Sequence, residues 1–192
     1  MEVRRLFVCV DPSADAVAHL GAVVDGLEVS RANTPGHSTR MAARGRWHVT
    51  LAFLGDVKAH RVGDVARAMD RAWTGPVVVR FAGGGVSGRG KRAILWVGLG
   101  GEVDSMRTLV TATRQELRRA RLPYDARPFR PHLTISRVGD RVNPELLAKD
   151  GQTLHGYEGP QWTIDSMLLV ASELGPRPVY TTLHRTGADS AS

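Results

Sequence analysis

Two short segments pair a titratable ring with a hydroxyl in the same way: His48-Val49-Thr50-Leu51-Ala52-Phe53-Leu54-Gly55 and His132-Leu133-Thr134-Ile135-Ser136-Arg137. Along a strand, successive side chains point to opposite faces, so each His shares a face with the Thr two residues on. Val49 and Leu51, like Leu133 and Ile135, then turn to the other face and into a core. The sequence thus sets an imidazole beside a hydroxyl on a rigid platform, twice. Histidine titrates near neutrality, so one ring can stand neutral while the other is protonated. A neutral ring can take a proton from water, and a charged one can give a proton to a departing oxygen. Opening a cyclic phosphodiester with water needs that pair of transfers, while hydroxyl and guanidinium donors hold the non-bridging oxygens. Neither a metal nor a covalent intermediate is required.

The spacing alone is weak. His37-Ser38-Thr39 and His184-Arg185-Thr186 also read His-x-Thr, the first inside a basic loop and the second running towards the C-terminal tail. Only His48 and His132 have apolar residues at both the intervening and the following position. A strand His beside Thr is commonly just a satisfied, half-buried residue; two such segments at comparable places in two halves argue for chemistry. Zinc takes three or four ligands, and the chain has one Cys, no His-Glu-x-x-His and no acid within either segment. No metal is expected. There is no Gly-x-Ser-x-Gly elbow. Gly83, Gly84, Gly85, Gly88 and Gly90 lack the helix that a dinucleotide or phosphate loop requires, so no cofactor is expected either. His19, His60 and His155 read as surface residues.

The elements that must carry these residues follow from periodicity. A buried strand over residues 4–10 stops at Asp11-Pro12-Ser13, where Asp11 or Ser13 can cap a helix marked by Val17, Leu20, Val24 and Leu27. Residues 30–46 lack periodicity and hold Arg31, Arg40, Arg44 and Arg46 without an acid, which reads as a mobile basic loop. A strand over 47–55, a helix over 62–73 and strands over 76–81 and 93–97 come next, the last two joined by a Gly-rich hairpin over 83–92. The second half repeats the plan. A helix over 103–121, a loop over 123–131 and a strand over 132–138 precede a short helix opened by Asn143-Pro144-Glu145. Closing strands are expected over 162–171 and 179–184. This mixture favours an α+β fold with mainly antiparallel sheets over a doubly wound parallel one. One bilobal domain over 1–186 is expected, with a disordered tail over 187–192.

The whole chain agrees. Its 192 residues suit one domain, and no apolar run approaches the ~20 residues that span a bilayer. The N-terminus lacks the pattern of a signal peptide, and lone Cys9 can form no internal disulfide, so a cytoplasmic monomer without membrane contact is expected. The net charge of +7 comes almost wholly from arginine, which suits bidentate contact with phosphate; coding bias alone can also enrich arginine.

At this point the chain resembles the 2H phosphoesterases, named for two His-x-Thr/Ser motifs, and within them the RNA 2′,3′-cyclic phosphodiesterase branch, historically called 2′-5′ RNA ligases. The resemblance rests on Arg5-Leu6-Phe7-Val8 with Asp11, on His48 to Gly55, and on Phe129-Arg130-Pro131-His132-Leu133-Thr134-Ile135 with Arg137. Ile94-Leu95-Trp96-Val97, Tyr124, Gly175 and Tyr180 extend it over nearly the whole domain. It implies a bilobal fold of two antiparallel sheets, related by pseudo-two-fold symmetry around a central cleft, with helices outside. It implies that His48 and His132 are catalytic, His132 as base and His48 as acid, and that Thr50 and Thr134 bind phosphate. Arg137 and Arg130 become anion contacts. Arg130 faces the cleft if its strand begins that early; Arg137, five after His132, points away unless the strand bulges. Phe53 is either core, the preferred reading, or a base-stacking platform. The segment 30–46 departs from the family in its length and arginine content.

The activity so implied is hydrolysis of a terminal RNA 2′,3′-cyclic phosphate to the 2′-phosphomonoester. Action on a small cyclic nucleotide, or reversible 2′-5′ RNA ligation, would use the same site. An RNA-binding module without turnover is the reading from a different class; retention of both His and both Thr weighs against it.

Overall fold

The computed structural model describes residues 2–31, 39–138, 142–173, 175 and 179–187. Among the described residues, nine strands form two antiparallel sheets. The four-stranded sheet runs in the order β3 (Val49–Lys58), β1 (Val3–Val10), β8 (Ser166–Glu173), β9 (Val179–Gly187). The five-stranded sheet runs β2 (Thr39–Met41), β6 (His132–Val138), β5 (Ile94–Gly101), β4 (Val77–Ser87), β7 (Glu158–Ile164). Each histidine strand therefore belongs to a different sheet, and the α+β reading with two antiparallel sheets holds.

Alternation in β1 shows how one strand serves two faces. Leu6, Val8 and Val10 enter the main core, while Phe7 and Cys9 join a second, smaller cluster with Leu168 and Val170. The main core is continuous from Leu6 and Leu51 of one sheet to Leu95 and Leu133 of the other. Among the described residues, five α-helices accompany the sheets: α1 (Ala14–Asp25), α2 (Glu28–Arg31), α3 (Val62–Ala72), α4 (Val103–Arg119) and α5 (Pro144–His155). Ser13 caps α1 by accepting from the Ala16 N–H at 3.2 Å. Asn143 does the same for α5 through the Glu145 N–H at 2.8 Å, with Pro144 in the first turn. The amphipathic faces of α3 (Val65, Ala68, Met69) and α4 (Met106, Leu109, Leu117) are buried in the core.

Several expectations need correction. β4 continues through the three glycines to Ser87, so the hairpin is confined to residues 88–93. A Cβ on Gly84 would meet the Trp96 carbonyl oxygen at 2.6 Å and Leu154 Cβ at 2.8 Å. Gly84 has no room for a side chain because β5 and α5 both close on it, a contact invisible to local periodicity, while Gly83 takes a φ of 65° that favours glycine. The apolar run 162–171 is two strands in different sheets, broken at Asp165. The basic segment begins with the last two residues of α2 and holds the edge strand β2 and a 3₁₀ turn over Arg44–Arg46, while residues 32–38 lie outside the described ones. Gly187 ends β9 opposite Ser166, so the expected tail loses its first residue, and 188–192 lie outside the described residues. Among the described residues no helix is long and apolar enough to cross a membrane.

Candidate active site

His48 immediately precedes β3 and His132 opens β6. Each ring is anchored the same way: Nδ1 of His48 lies 2.7 Å from the Arg46 carbonyl oxygen, and Nδ1 of His132 lies 2.7 Å from that of Arg130. A carbonyl only accepts, so Nδ1 carries the hydrogen in both and each ring keeps Nε2 for other partners.

The strands that follow are bulged, and this decides where the next functional candidates point. Against β1, Thr50 opposes Cys9 but Ala52 opposes Val8, so Leu51 is an extra residue. Leu51 and Ala52 both enter the main core, and Phe53 returns to the face of Thr50, opposite Phe7. In β6, Thr134 opposes Trp96 but Ser136 opposes Leu95, leaving Ile135 extra. Ile135 and Ser136 are both fully buried, and Arg137 returns to the face of His132 and Thr134. A bulge adds one residue and so reverses the alternation beyond it. The odd step of five from histidine thus ends on the histidine's own face in both sheets, with Phe53 in one and Arg137 in the other. Phe53 is half-buried against the small cluster of Phe7, Cys9, Leu168 and Val170 rather than in the main core, with the Arg5 guanidinium 4.7 Å from its ring centre. Arg130 is exposed and precedes the strand, so alternation does not fix its side chain.

His48 is the more enclosed ring. It stacks on Phe7 at 4.9 Å between centres and meets the edge of Tyr180 at 5.7 Å. Burial lowers its pKa below the ordinary histidine value, and the charge of His132 adds to this; the Arg46 carbonyl and Asp11 oppose it. Burial raises the Asp11 carboxyl, against the charges of His48 and Arg185. Beside His48 opens a cavity of about 210 Å³ bounded by Phe7, Asp11, Arg46, Tyr180 and Thr182. Spacing gave no sign that Phe7, Asp11 and Tyr180 gather at His48, because β1 and β9 arrive from opposite ends of the chain; only the family resemblance marked them.

Other candidates fall elsewhere. His184 bonds Asp70 at 2.7 Å and His19 lies 2.9 Å from the Tyr157 hydroxyl; His37 is outside the described residues. Arg44 bonds Asp25 and the Gly21 carbonyl, which ties it to α1, whereas Arg40 in β2 stands opposite Arg137. Among the described residues no three His, Cys, Asp or Glu side chains gather as a metal site would need.

Comparison with known proteins gives a consistent picture. The sequence matches the family described as LigT like Phosphoesterase over residues 10–96 and 101–180. A protein of Methanothermobacter thermautotrophicus named RNA 2′,3′-cyclic phosphodiesterase is 26% identical over 186 residues, covering 93% of this chain and 96% of that protein. One of the same name from Aeropyrum pernix is 24% identical over 179 residues, covering 92% and 93%. The crystal structure of E. coli LigT complexed with 3′-AMP superposes with a TM-score of 0.73 at 21% identity, covering 98% of this chain and all of that one. TT0787 of Thermus thermophilus gives 0.73 at 23% identity, covering 95% and 97%. The family match runs from the end of β1 into β9 and takes in both histidine strands, so the chain belongs to the LigT-like phosphoesterases, within the 2H superfamily that its two motifs resemble.

Proposed function

We propose that this protein hydrolyses the 2′,3′-cyclic phosphate at the end of an RNA to a 2′-phosphomonoester, without a metal, and that residues 1–186 act as one bilobal domain. The observation that carries the reading is the matched anchoring of His48 and His132, each with Nδ1 committed to a carbonyl and a threonine two residues on. The name shared by the relatives supports the substrate.

In the proposed reaction a water oxygen attacks phosphorus in line with the 3′ oxygen. His132 Nε2 takes the proton from water as the P–O bond forms, and His48 Nε2–H gives a proton to the 3′ oxygen as its bond to phosphorus breaks. Thr50 and Thr134 donate to the non-bridging oxygens, with Arg137 and Arg130 balancing their charge. Phe53 offers its ring to a base. Burial favours neutral His48 in the free protein, the opposite of what an acid needs; the bound phosphate anion restores the proton by favouring the cation.

The test is to incubate the protein with EDTA and an oligonucleotide ending in a 2′,3′-cyclic phosphate, then identify the product. A 2′-phosphate formed at an undiminished rate is the expected result. A chelation-sensitive rate restored by a divalent ion would overturn the metal-free mechanism. Binding without turnover would favour a non-catalytic RNA module.

A further inference from the structure

The edge strand β2 places a second arginine beside Arg137. Arg40 and Arg137 are direct partners in the β2–β6 ladder, and directly opposed residues of an antiparallel pair project to the same face. The neighbouring pair fixes which face. Met41 stands opposite Ser136, Met41 packs on the main core and Ser136 is fully buried. Arg40 therefore lies on the other side, the face of Thr134 and Arg137.

Two like charges directly opposed weaken a sheet, and here protein anions do not relieve them. Arginines elsewhere, such as Arg61, Arg71, Arg107, Arg119 and Arg127, bond carboxylates. Arg40 and Arg137 are both exposed, and among the described residues neither has a carboxylate partner. Across the bulge, Thr134 and Arg137 stand opposite Trp96 and Ile94, two residues apart on β5, so they are about 7 Å apart along the sheet at about 3.3 Å per residue, with Arg40 one strand further out. A phosphate held at Thr134 stands nearer Arg137 in register than Arg40, which lies on the outermost strand of the sheet.

We propose that Arg40 is a specificity-determining residue that binds the next phosphate of the RNA, the linkage joining the terminal nucleotide to its neighbour, with Arg137 between the two phosphates. This deepens the proposed function and rests on it. The enzyme then prefers an oligonucleotide end over a cyclic mononucleotide because of that second charge. Arg44, one turn away in sequence but tied to α1, takes no part.

The experiment compares kcat/KM on three substrates: a 2′,3′-cyclic mononucleotide, a dinucleotide with the same cyclic end, and that dinucleotide with a neutral methylphosphonate linkage. In the wild-type protein the charged dinucleotide should lead both others by about tenfold, the worth of one exposed charge-assisted contact. Arg40→Ala should abolish that lead and reduce the salt slope on the charged dinucleotide by about 0.7, one single-strand phosphate contact. Arg44→Ala should keep the lead. If Arg40→Ala slows all three substrates equally, or leaves the lead intact, the proposal is overturned. If the wild-type protein turns over no cyclic phosphate at all, the proposed function fails, and this inference with it.

Discussion

His48 and His132 differ in surroundings although their anchors match. His48 packs against Phe7 and Tyr180 with its pKa lowered mainly by burial, so the folded protein binds its proton less readily than the unfolded chain. Between that lowered pKa and the unfolded value of about 6.5, the unfolded state carries more protons, and stability rises with pH. His48→Gln should flatten this rise in urea titrations between pH 5 and 7; an unaltered slope would show that another group titrates there. Asp11 opposes the lowering, so Asp11→Asn should move the His48 ring titration, followed by NMR, further to acid. Replacing either histidine by Ala should cost on the order of 10²–10⁴ in rate. A substrate whose leaving group needs no proton separates the roles: His48→Ala should recover much of its rate on it and His132→Ala should not, and the reverse pattern would exchange acid and base.

At the scale of elements, the bulges in β3 and β6 are what the sequence did not announce. Two consecutive buried residues after each His-x-Thr, Leu51-Ala52 and Ile135-Ser136, break the period of two, but polar Ser136 masked the signal in the second case. Its Oγ is buried with no hydrogen-bond partner among the described residues. Ser136→Ala should therefore be neutral or stabilise by up to about 1 kcal/mol; a loss of more than that in urea unfolding would mean the hydroxyl holds a buried water. The glycines of β4 tell the opposite story. Gly84→Ala should destabilise by about 1–3 kcal/mol, because the added methyl meets the Trp96 carbonyl and Leu154. Strands whose core pattern is local, β1, β3 and β6, were legible within a few residues, as were α1 and its Ser13 cap. What was hidden depends on partners far along the chain: the docking of α5 on β4, the change of sheet at Asp165, and the edge pairing that turns part of a basic loop into β2.

The whole molecule is two sheets that repeat one device. In each, a carbonyl two residues back sets the ring, a threonine two residues on sits beside it, and a bulge brings the fifth residue round to the same side. Were the repeats identical, a phosphate between them would meet the same surroundings from either flank, and a chain could enter in either direction. The fifth positions break that equivalence, with an aromatic ring at Phe53 in one sheet and a guanidinium at Arg137 in the other. A nucleic acid strand has the same asymmetry at its end, a base to one side and a charged backbone to the other. Under the proposed function the cleft has a heading as well as a centre, and exchanging Phe53 and Arg137 would turn that heading round.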